Sequence, residues 1–208
     1  MPSHPLVAVY ADESCLGNGK EGENPGGAGV LVEIPHGGTL VRRALWVAEP
    51  ATTNNRMALR SVIEAFRALS RKGNRFRVVF TTDSRYIVDG MTRWVHDWAR
   101  RGWRRKTGAI ENLELWQDAV HAAAGHQVAW HWVRGHAGHA QNEFANDIAV
   151  RAAETQEQSD GLVEAGFDAW LATRTGAGKS TRLEPFPDPS SFRAAPTLPR
   201  GTNAVLHE

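Results

Sequence analysis

The chain is poor in cysteine and has no long apolar run. Its one cysteine, Cys15, excludes an internal disulfide and is compatible with a reducing compartment. No stretch approaches the roughly 20 apolar residues that cross a bilayer, and the first residues lack the basic and apolar regions of a signal peptide. A net charge of +1 indicates no particular partner. We therefore expect a cytoplasmic protein that does not bind membranes.

The length of 208 residues is enough for one domain of about 150 residues and an additional segment. We expect a domain over residues 1–155 and a C-terminal extension over 156–208, and we expect the protein to be a monomer. The extension is predicted to hold one short helix and then a tail rich in Pro and Gly. From Thr173 onward, Gly, Pro, Ser and Thr dominate, which predicts disorder or an extended segment on the surface.

Hydrophobic periodicity predicts an α/β protein. The predicted strands are 5–12, 27–34, 39–48, 75–82 and 127–133, and the predicted helices are 55–71, 84–99, 111–124 and 140–154. Three leading strands with short connections suit an antiparallel meander, whereas strands that alternate with helices suit parallel pairing. The pattern therefore predicts a mixed five-stranded sheet flanked by helices.

Two apolar, strand-like runs end in a carboxylate. Asp12 ends the first run and Asp83 ends a second run about seventy residues later. The two carboxylates can meet only if the two strands are neighbours in one sheet, and clustered oxygen ligands are what a hard divalent cation requires. Asp83 also precedes a predicted helix, so a capping role is the alternative. The pattern indicates metal-dependent chemistry.

Five segments resemble type 1 ribonuclease H of the bacterial kind, in the same order and at the same spacing. They are DESCLGN at 12–18, TTNNRM at 52–57, TDSRY at 82–86, WVHDWARRGW at 94–103 and WVRGHAGH at 132–139. The resemblance covers roughly residues 6 to 155. It implies the ribonuclease H-like fold and hydrolysis of the RNA strand of an RNA/DNA hybrid. It also implies two divalent metal ions, Mg²⁺ with Mn²⁺ as a possible substitute, held by four acidic residues.

Two of those four acidic positions depart from the family pattern. The resemblance assigns catalytic and metal-binding roles to Asp12 and Asp83, but the second acid aligns with Ala58 and the fourth with Asn146. Asn146 still offers a carbonyl oxygen to a metal, whereas Ala58 offers nothing, so two negative charges are lost. We expect weaker metal binding. A natural branch with an altered ligand set and engineered substitutions both remain open.

Three nearby acids are candidates to complete the metal site. Glu13 follows Asp12 where the family usually has glycine, although strict strand alternation points it to the opposite face of the sheet unless it curls back at the strand end. Glu143 lies one helical turn before Asn146, and Asp147 lies directly after Asn146, so each could approach the metal with a modest rotation.

A histidine loop follows the last predicted strand. His136 matches the family histidine that assists proton transfer or product departure, and its pKa range suits that work. Gly135 and Gly138 flank it and would let the loop move. The alternative is a histidine that only caps or packs, a role that fits His139 better.

A basic, tryptophan-rich segment and an asparagine pair are the predicted substrate contacts. In the family the basic, tryptophan-rich segment binds the DNA strand. Amide side chains line the hybrid there, and they suit the RNA 2′-hydroxyl because both groups donate and accept hydrogen bonds. The residues are Trp94, Trp98, Arg100, Arg101, Trp103 and Arg104 in the basic segment, and Asn18, Thr53, Asn54, Asn55 and Arg56 along the hybrid. The alternatives are helix packing for Trp94 and Trp98, and helix capping within Asn54–Asn55.

The resemblance therefore predicts an RNA/DNA hybrid endoribonuclease. The runner-up is a hybrid-binding protein of the same fold whose catalysis is weakened or lost because of Ala58 and Asn146. A third possibility, a resolvase or integrase of the same fold, is disfavoured by the asparagine pair and the basic segment.

Overall fold

The structure is a computed structural model that describes residues 4–17, 24–177 and 181–198. The strands are β1 (Leu6–Cys15), β2 (Gly26–His36), β3 (Thr39–Glu49), β4 (Arg77–Thr82), β5 (Gln127–Trp132) and β6 (Val163–Glu164). The helices are α1 (Asn54–Leu69), α2 (Arg85–Asp89), α3 (Val95–Arg100), α4 (Leu113–Ala123), α5 (Ala140–Thr155) and α6 (Phe167–Gly176). A π-helical turn over Gly90–Trp94 joins α2 to α3, and a 3₁₀ turn over Arg71–Gly73 follows α1.

The sheet is mixed and has the strand order β5-β4-β1-β2-β3-β6. The first three strands form the predicted antiparallel meander, and β1, β4 and β5 pair in parallel. The prediction of five strands was one too few, because β6 pairs with β3 through Arg43 and Glu164. Two residues are too short for hydrophobic alternation to reveal.

The two faces of the sheet bury different residues of β1. Val7, Val9 and Ala11 belong to a large cluster under α1 and α4, whereas Ala8 and Tyr10 belong to a second cluster under α5. This alternation is the period of two that an extended strand imposes. By the same alternation, the side chain of Asp12 lies on the α5 face with Tyr10, and that of Glu13 lies on the α1 face with Ala11.

The C-terminal extension packs on the domain. Phe167 is only 1% exposed, and its ring and that of Trp170 contact Phe144 of α5 at centroid distances of 5.3 Å. The short helix, predicted over 161–172, lies at Phe167–Gly176 as α6, because Val163–Glu164 pair with β3 instead. Residues 181–198 contain no helix and make a turn at 189–191, after which the Ala195 N–H donates to the Val128 carbonyl of β5 at 2.7 Å. Among the residues that the structure describes, no helix is long and apolar enough to span a bilayer.

Candidate active site

Neighbouring strand ends bring the two predicted carboxylates together. Ala11 and Thr82 are the last pair of the parallel β1–β4 ladder, so Asp12 and Asp83 lie side by side where that ladder ends, although β1 itself continues to Cys15 beside β2. Glu13 joins them, and one carboxylate oxygen from each of the three residues lies within 4.8 Å of the others. The three side chains form an oxygen-rich group beside the C-terminal end of β4, between the inner strands β4 and β1. Such oxygen ligands are what a hard divalent cation prefers.

The Asp12 carboxyl is protonated more easily than an ordinary aspartate. It is 6% exposed, and burial, followed by the charge of Asp83, raises its pKa to about 8. Two hydrogen bonds oppose this shift. The Glu13 N–H donates to Oδ1 at 2.7 Å, and Asn142 Nδ2 donates to Oδ2 at 3.0 Å. Asp12 is thus held in a fixed orientation while its charge is poorly compensated.

Glu13 approaches the group from the α1 face. Strand alternation places its side chain on the same face as Ala11, and Ala11 and Ala58 belong to one cluster. The glutamate that the family has at position 58 would also reach the site from the α1 side of the sheet. Strand alternation points Glu13 to the face opposite Asp12, and that face is the α1 side, so Glu13 reaches the site without curling back. Ala58 itself is fully buried and offers no ligand atom.

The Glu13 carboxylate is incompletely satisfied. Its Oε2 atom is buried and finds no hydrogen-bond partner among the described residues, although Ser84 bonds to the carboxylate. Burial first, and then the charges of Asp12 and Asp83, raise the pKa of Glu13 well above its ordinary value. A cation beside these three side chains would remove both defects.

Helix α5 comes close to the carboxylates because β2 has glycine opposite Asp12. A Cβ at Gly29, the cross-strand partner of Asp12, would lie 2.2 Å from the Ala145 carbonyl oxygen. The close approach lets Asn142 reach Asp12. Asn146 lies half-buried one turn further along the same helix face.

Comparison with known proteins identifies the family. The RNase H family model matches residues 4–154. The chain belongs to the RNase H family. A ribonuclease H of Erythrobacter litoralis is 43% identical over 151 residues, which are 72% of this chain and 97% of that protein. One of Halorhodospira halophila is 47% identical over 145 residues, 69% of this chain and 90% of that protein.

A solved structure extends the similarity through the C-terminal extension. It is described as LC9-RNase H1, a type 1 RNase H with the type 2 active-site motif, and it is 68% identical with a TM-score of 0.91. The match covers 100% of this chain and 99% of that one. The expected ribonuclease H-like fold is therefore confirmed, and this chain is an RNase H enzyme by family.

The other two acids proposed for the metal site of this RNase H are held elsewhere. Glu143 Oε2 accepts from Arg174 Nη2 at 2.5 Å, and Asp147 Oδ2 accepts from Arg174 Nη1 at 3.1 Å and from Trp170 Nε1 at 2.8 Å. Both acids therefore face α6, and neither belongs to the carboxylate group. Their cationic partner Arg174 comes from the extension, which the family pattern does not include.

The histidine loop passes directly over Asp83. A Cβ at Gly135 would lie 2.0 Å from Asp83 Oδ2, so only glycine permits this approach. Burial raises the pKa of Asp83, and a backbone hydrogen bond and the charge of His136 only partly oppose this shift. His136 itself is exposed and has a φ of 52°. His139 is buried and caps α5 by accepting from the Asn142 N–H at 3.3 Å, which is the role expected for it.

Asn142 is a site residue that the sequence analysis missed. It is 1% exposed, and its Nδ2 also approaches the Ala11 carbonyl at 3.4 Å. The available signal was its position four residues before Asn146, which places both amides on one face of α5.

The start of α1 presents the predicted asparagine pair. Thr53, rather than either asparagine, is the N-cap, and its Oγ1 accepts from the Arg56 N–H at 3.4 Å. Asn54 and Asn55 form the first turn, so the alternative of an asparagine cap is wrong. The Asn54 Oδ1 atom is buried without a hydrogen-bond partner among the described residues. Asn18 lies outside the described residues.

The basic segment separates into an exposed and a packed part. Arg100, Arg101 and Arg104 are exposed. Trp94 and Trp98 are half-buried and contact Trp116 at ring-centroid distances of 6.2 and 5.7 Å. Trp103 is only 8% exposed and belongs to the large core cluster, so its predicted substrate contact is corrected to a structural role. Arg100 and Arg101 precede Trp103 and Arg104 follows it, so the buried Trp103 ring anchors the turn on which these arginines are exposed.

Proposed function

We propose that this RNase H hydrolyses the RNA strand of RNA/DNA hybrids with divalent ions, Mg²⁺ or Mn²⁺. The observation that carries the proposal is the carboxylate group of Asp12, Glu13 and Asp83, which lies where the parallel pairing of β1 with β4 ends. Asn146 adds a neutral amide oxygen from α5. When bound, a pair of divalent ions supplies activation of the attacking water and stabilisation of the leaving 3′ oxygen.

The residues present suit such ions. The ligand atoms are hard oxygens, the Glu13 Oε2 atom has no hydrogen-bond partner in the described structure, and burial raises the pKa of Asp12. Glu13, which follows Asp12 in β1, supplies the carboxylate that is missing at Ala58. The site then carries three charges and one amide, instead of the four charges of the family pattern.

The chain's own residues supply the remaining functions. Asn142 and the Glu13 N–H orient Asp12, so that its carboxylate needs no reorganisation during the reaction. His136 lies exposed on the loop above Asp83, where we assign it proton transfer to the leaving oxygen or assistance to product departure. Gly135, which lacks a Cβ, lets the loop lie this close to Asp83.

The surface beside the site suits a hybrid. The exposed Arg100, Arg101 and Arg104 would neutralise DNA-strand phosphates, and the half-buried Trp94 and Trp98 support that segment. Asn54 and Asn55, at the N-terminus of α1, are assigned to the RNA 2′-hydroxyls, with Thr53 and Arg56 beside them on sugar or phosphate.

The test is cleavage of a labelled RNA/DNA hybrid over Mg²⁺ and Mn²⁺ titrations, with Glu13→Gln as the decisive variant. We expect Glu13→Gln to lower kcat by about a hundredfold or more, because one of three charged metal ligands is lost. Glu164→Gln, on the exposed edge of β6, is the matched control and should behave as wild type. Adding Ala58→Glu to Glu13→Gln should restore part of the activity.

The same assay separates the alternative. A wild type that binds hybrid but cleaves it only after Ala58→Glu and Asn146→Asp would be the hybrid-binding protein with lost catalysis. Full activity of Glu13→Gln, with a normal requirement for metal, would remove Glu13 from the ligand set. Failure of the wild type to bind hybrid at all would contradict the proposed substrate.

A further inference from the structure

The C-terminal end of the histidine loop is held by the extension. Both backbone polar groups of Gly138, two residues after His136, have partners: its N–H donates to Glu143 Oε1 at 2.9 Å, and its carbonyl accepts from the Arg182 N–H at 2.6 Å. The Arg182 carbonyl then accepts from the Ala140 N–H at 3.0 Å. A segment outside the matched family domain thus forms a bridge with this loop.

Glu143 is itself fixed from α6. Its second oxygen accepts from Arg174 Nη2 at 2.5 Å, and both side chains are mostly buried, with 13% and 19% exposure. Charge-assisted hydrogen bonds in such surroundings are stronger than exposed ion pairs. Arg174 also bonds to Asp147 and lies over the Trp170 ring at 4.9 Å, so its guanidinium has one well-defined position. The contacts form a chain from α6 to Glu143 and from Glu143 to Gly138.

At its other end the loop is anchored to the sheet. The Val133 N–H donates to the Thr82 carbonyl at 3.0 Å, directly before Asp83. Residues 134–137 therefore connect an anchor on β4 to an anchor on Gly138, and Gly135 touches Asp83 on the way. With both anchors in place, His136 is restricted to a small region above the carboxylates.

We propose that Arg174 is a positioning residue of this enzyme: from α6 it holds Glu143 on the Gly138 N–H and so keeps the His136 loop over the site. The inference rests on the function proposed above.

The alternative is that Arg174 only docks α6. That helix has other attachments, because Phe167 is buried and Asp168 pairs with Arg42 at 2.8 Å. Asp168→Asn weakens the docking of α6 without touching Glu143 or the loop, so it is the matched control. A double-mutant cycle with His136→Ala separates the two readings, because a residue that acts through His136 has no effect once His136 is gone.

The kinetic test measures kcat and KM for hybrid cleavage in wild type, Arg174→Ala, His136→Ala, the double variant and Asp168→Asn. We expect Arg174→Ala to lower kcat about tenfold with KM nearly unchanged, and to lower it less than twofold in the His136→Ala background. Asp168→Asn should match wild type. An equal loss from Arg174→Ala in both backgrounds would overturn the proposal in favour of simple docking.

A readout independent of cleavage is hydrogen exchange of the Gly138 amide in metal-free protein. Arg174→Ala should speed that exchange at least tenfold while core amides of β1 stay protected, and Arg174→Lys should fall between the two. If the wild type does not cleave hybrid, the proposed function fails while this exchange result still tests the anchor. Unchanged exchange and unchanged kcat in Arg174→Ala would refute the anchor itself. Should Arg174→Ala unfold, Arg174→Lys takes its place in the cycle.

Discussion

The carboxylate group should destabilise the metal-free enzyme, increasingly so as pH rises. Asp12 is the member to test, since its pKa of about 8 stands against an ordinary 3.8. Below pH 4 its carboxyl is protonated in both the folded and the unfolded chain and has no effect. Between pH 4 and 8 the unfolded chain releases this proton and the folded chain keeps it, so the free energy of unfolding falls as pH rises.

The size of this effect follows from the shift. Each pH unit within the window costs up to about 1.4 kcal/mol, so the loss between pH 5 and pH 7 is about 3 kcal/mol. The cost stops growing above pH 8, where Asp12 is ionised in both states. Asp12→Asn removes the titrating group. It also relieves Glu13, whose pKa the Asp12 charge raises, so the second effect has the same sign.

The assay is urea unfolding of wild type and Asp12→Asn at pH 5, 6 and 7 with a chelator present. In the wild type Asn142 Nδ2 donates to the Asp12 carboxylate. In Asp12→Asn it faces the amide group of the new side chain, and the loss of this hydrogen bond lowers the free energy of unfolding at every pH. That cost is independent of pH. The pH dependence of the difference in free energy of unfolding between the two proteins therefore reports only the titration of Asp12 and its effect on Glu13. We expect the difference to move by about 3 kcal/mol in favour of Asp12→Asn from pH 5 to pH 7. A difference that stays constant within about 0.5 kcal/mol would refute the electrostatic account.

Three further results are expected. Saturating Mg²⁺ should raise the thermal midpoint of wild type more at pH 7 than at pH 5, since ions bind the deprotonated carboxylates, and equal shifts in a melting experiment would contradict this. Phe167→Ala should lower the free energy of unfolding by about 3–5 kcal/mol in urea titrations, because the ring is 1% exposed, and a loss under about 1 kcal/mol would show that α6 does not complete the core. Gly135→Ala should lower kcat sharply because its Cβ would lie 2.0 Å from Asp83 Oδ2, whereas Gly125→Ala, with nothing within 4 Å, should leave hybrid cleavage unchanged.

The sheet was predictable because its strands obey a period of two. The alternation along β1 places Val9 and Ala11 on one face and Tyr10 on the other, and the carboxylates at strand ends then required β1 and β4 to be neighbours. The two-residue strand β6 has no such signal. The start of α1 was predicted within a residue, but the choice of Thr53 as the N-cap depends on backbone angles that composition does not show.

The position of a site residue was predictable where the regular geometry of its own strand or helix determines which way its side chain points. Glu13 follows from alternation once the opposite face is recognised as the α1 face, and Asn142 follows from the helical spacing to Asn146. Trp103 was assigned to the substrate because charge and aromatic content alone do not separate an exposed ring from a buried one. The fold buries the Trp103 ring and leaves the neighbouring arginines exposed.

The contacts of the extension were beyond sequence reasoning, and they change the meaning of the domain boundary. The division at residue 155 follows the family match, which ends at 154, and it stays a prediction. Yet Phe167 and Trp170 complete the cluster that contains Tyr10 and Phe144, and Arg174 neutralises two acids of α5. A chain ending at 155 would leave Phe144 uncovered and Glu143 and Asp147 without their cation. Because α5 carries Asn142 against Asp12, losing the extension should reach the active site through that helix.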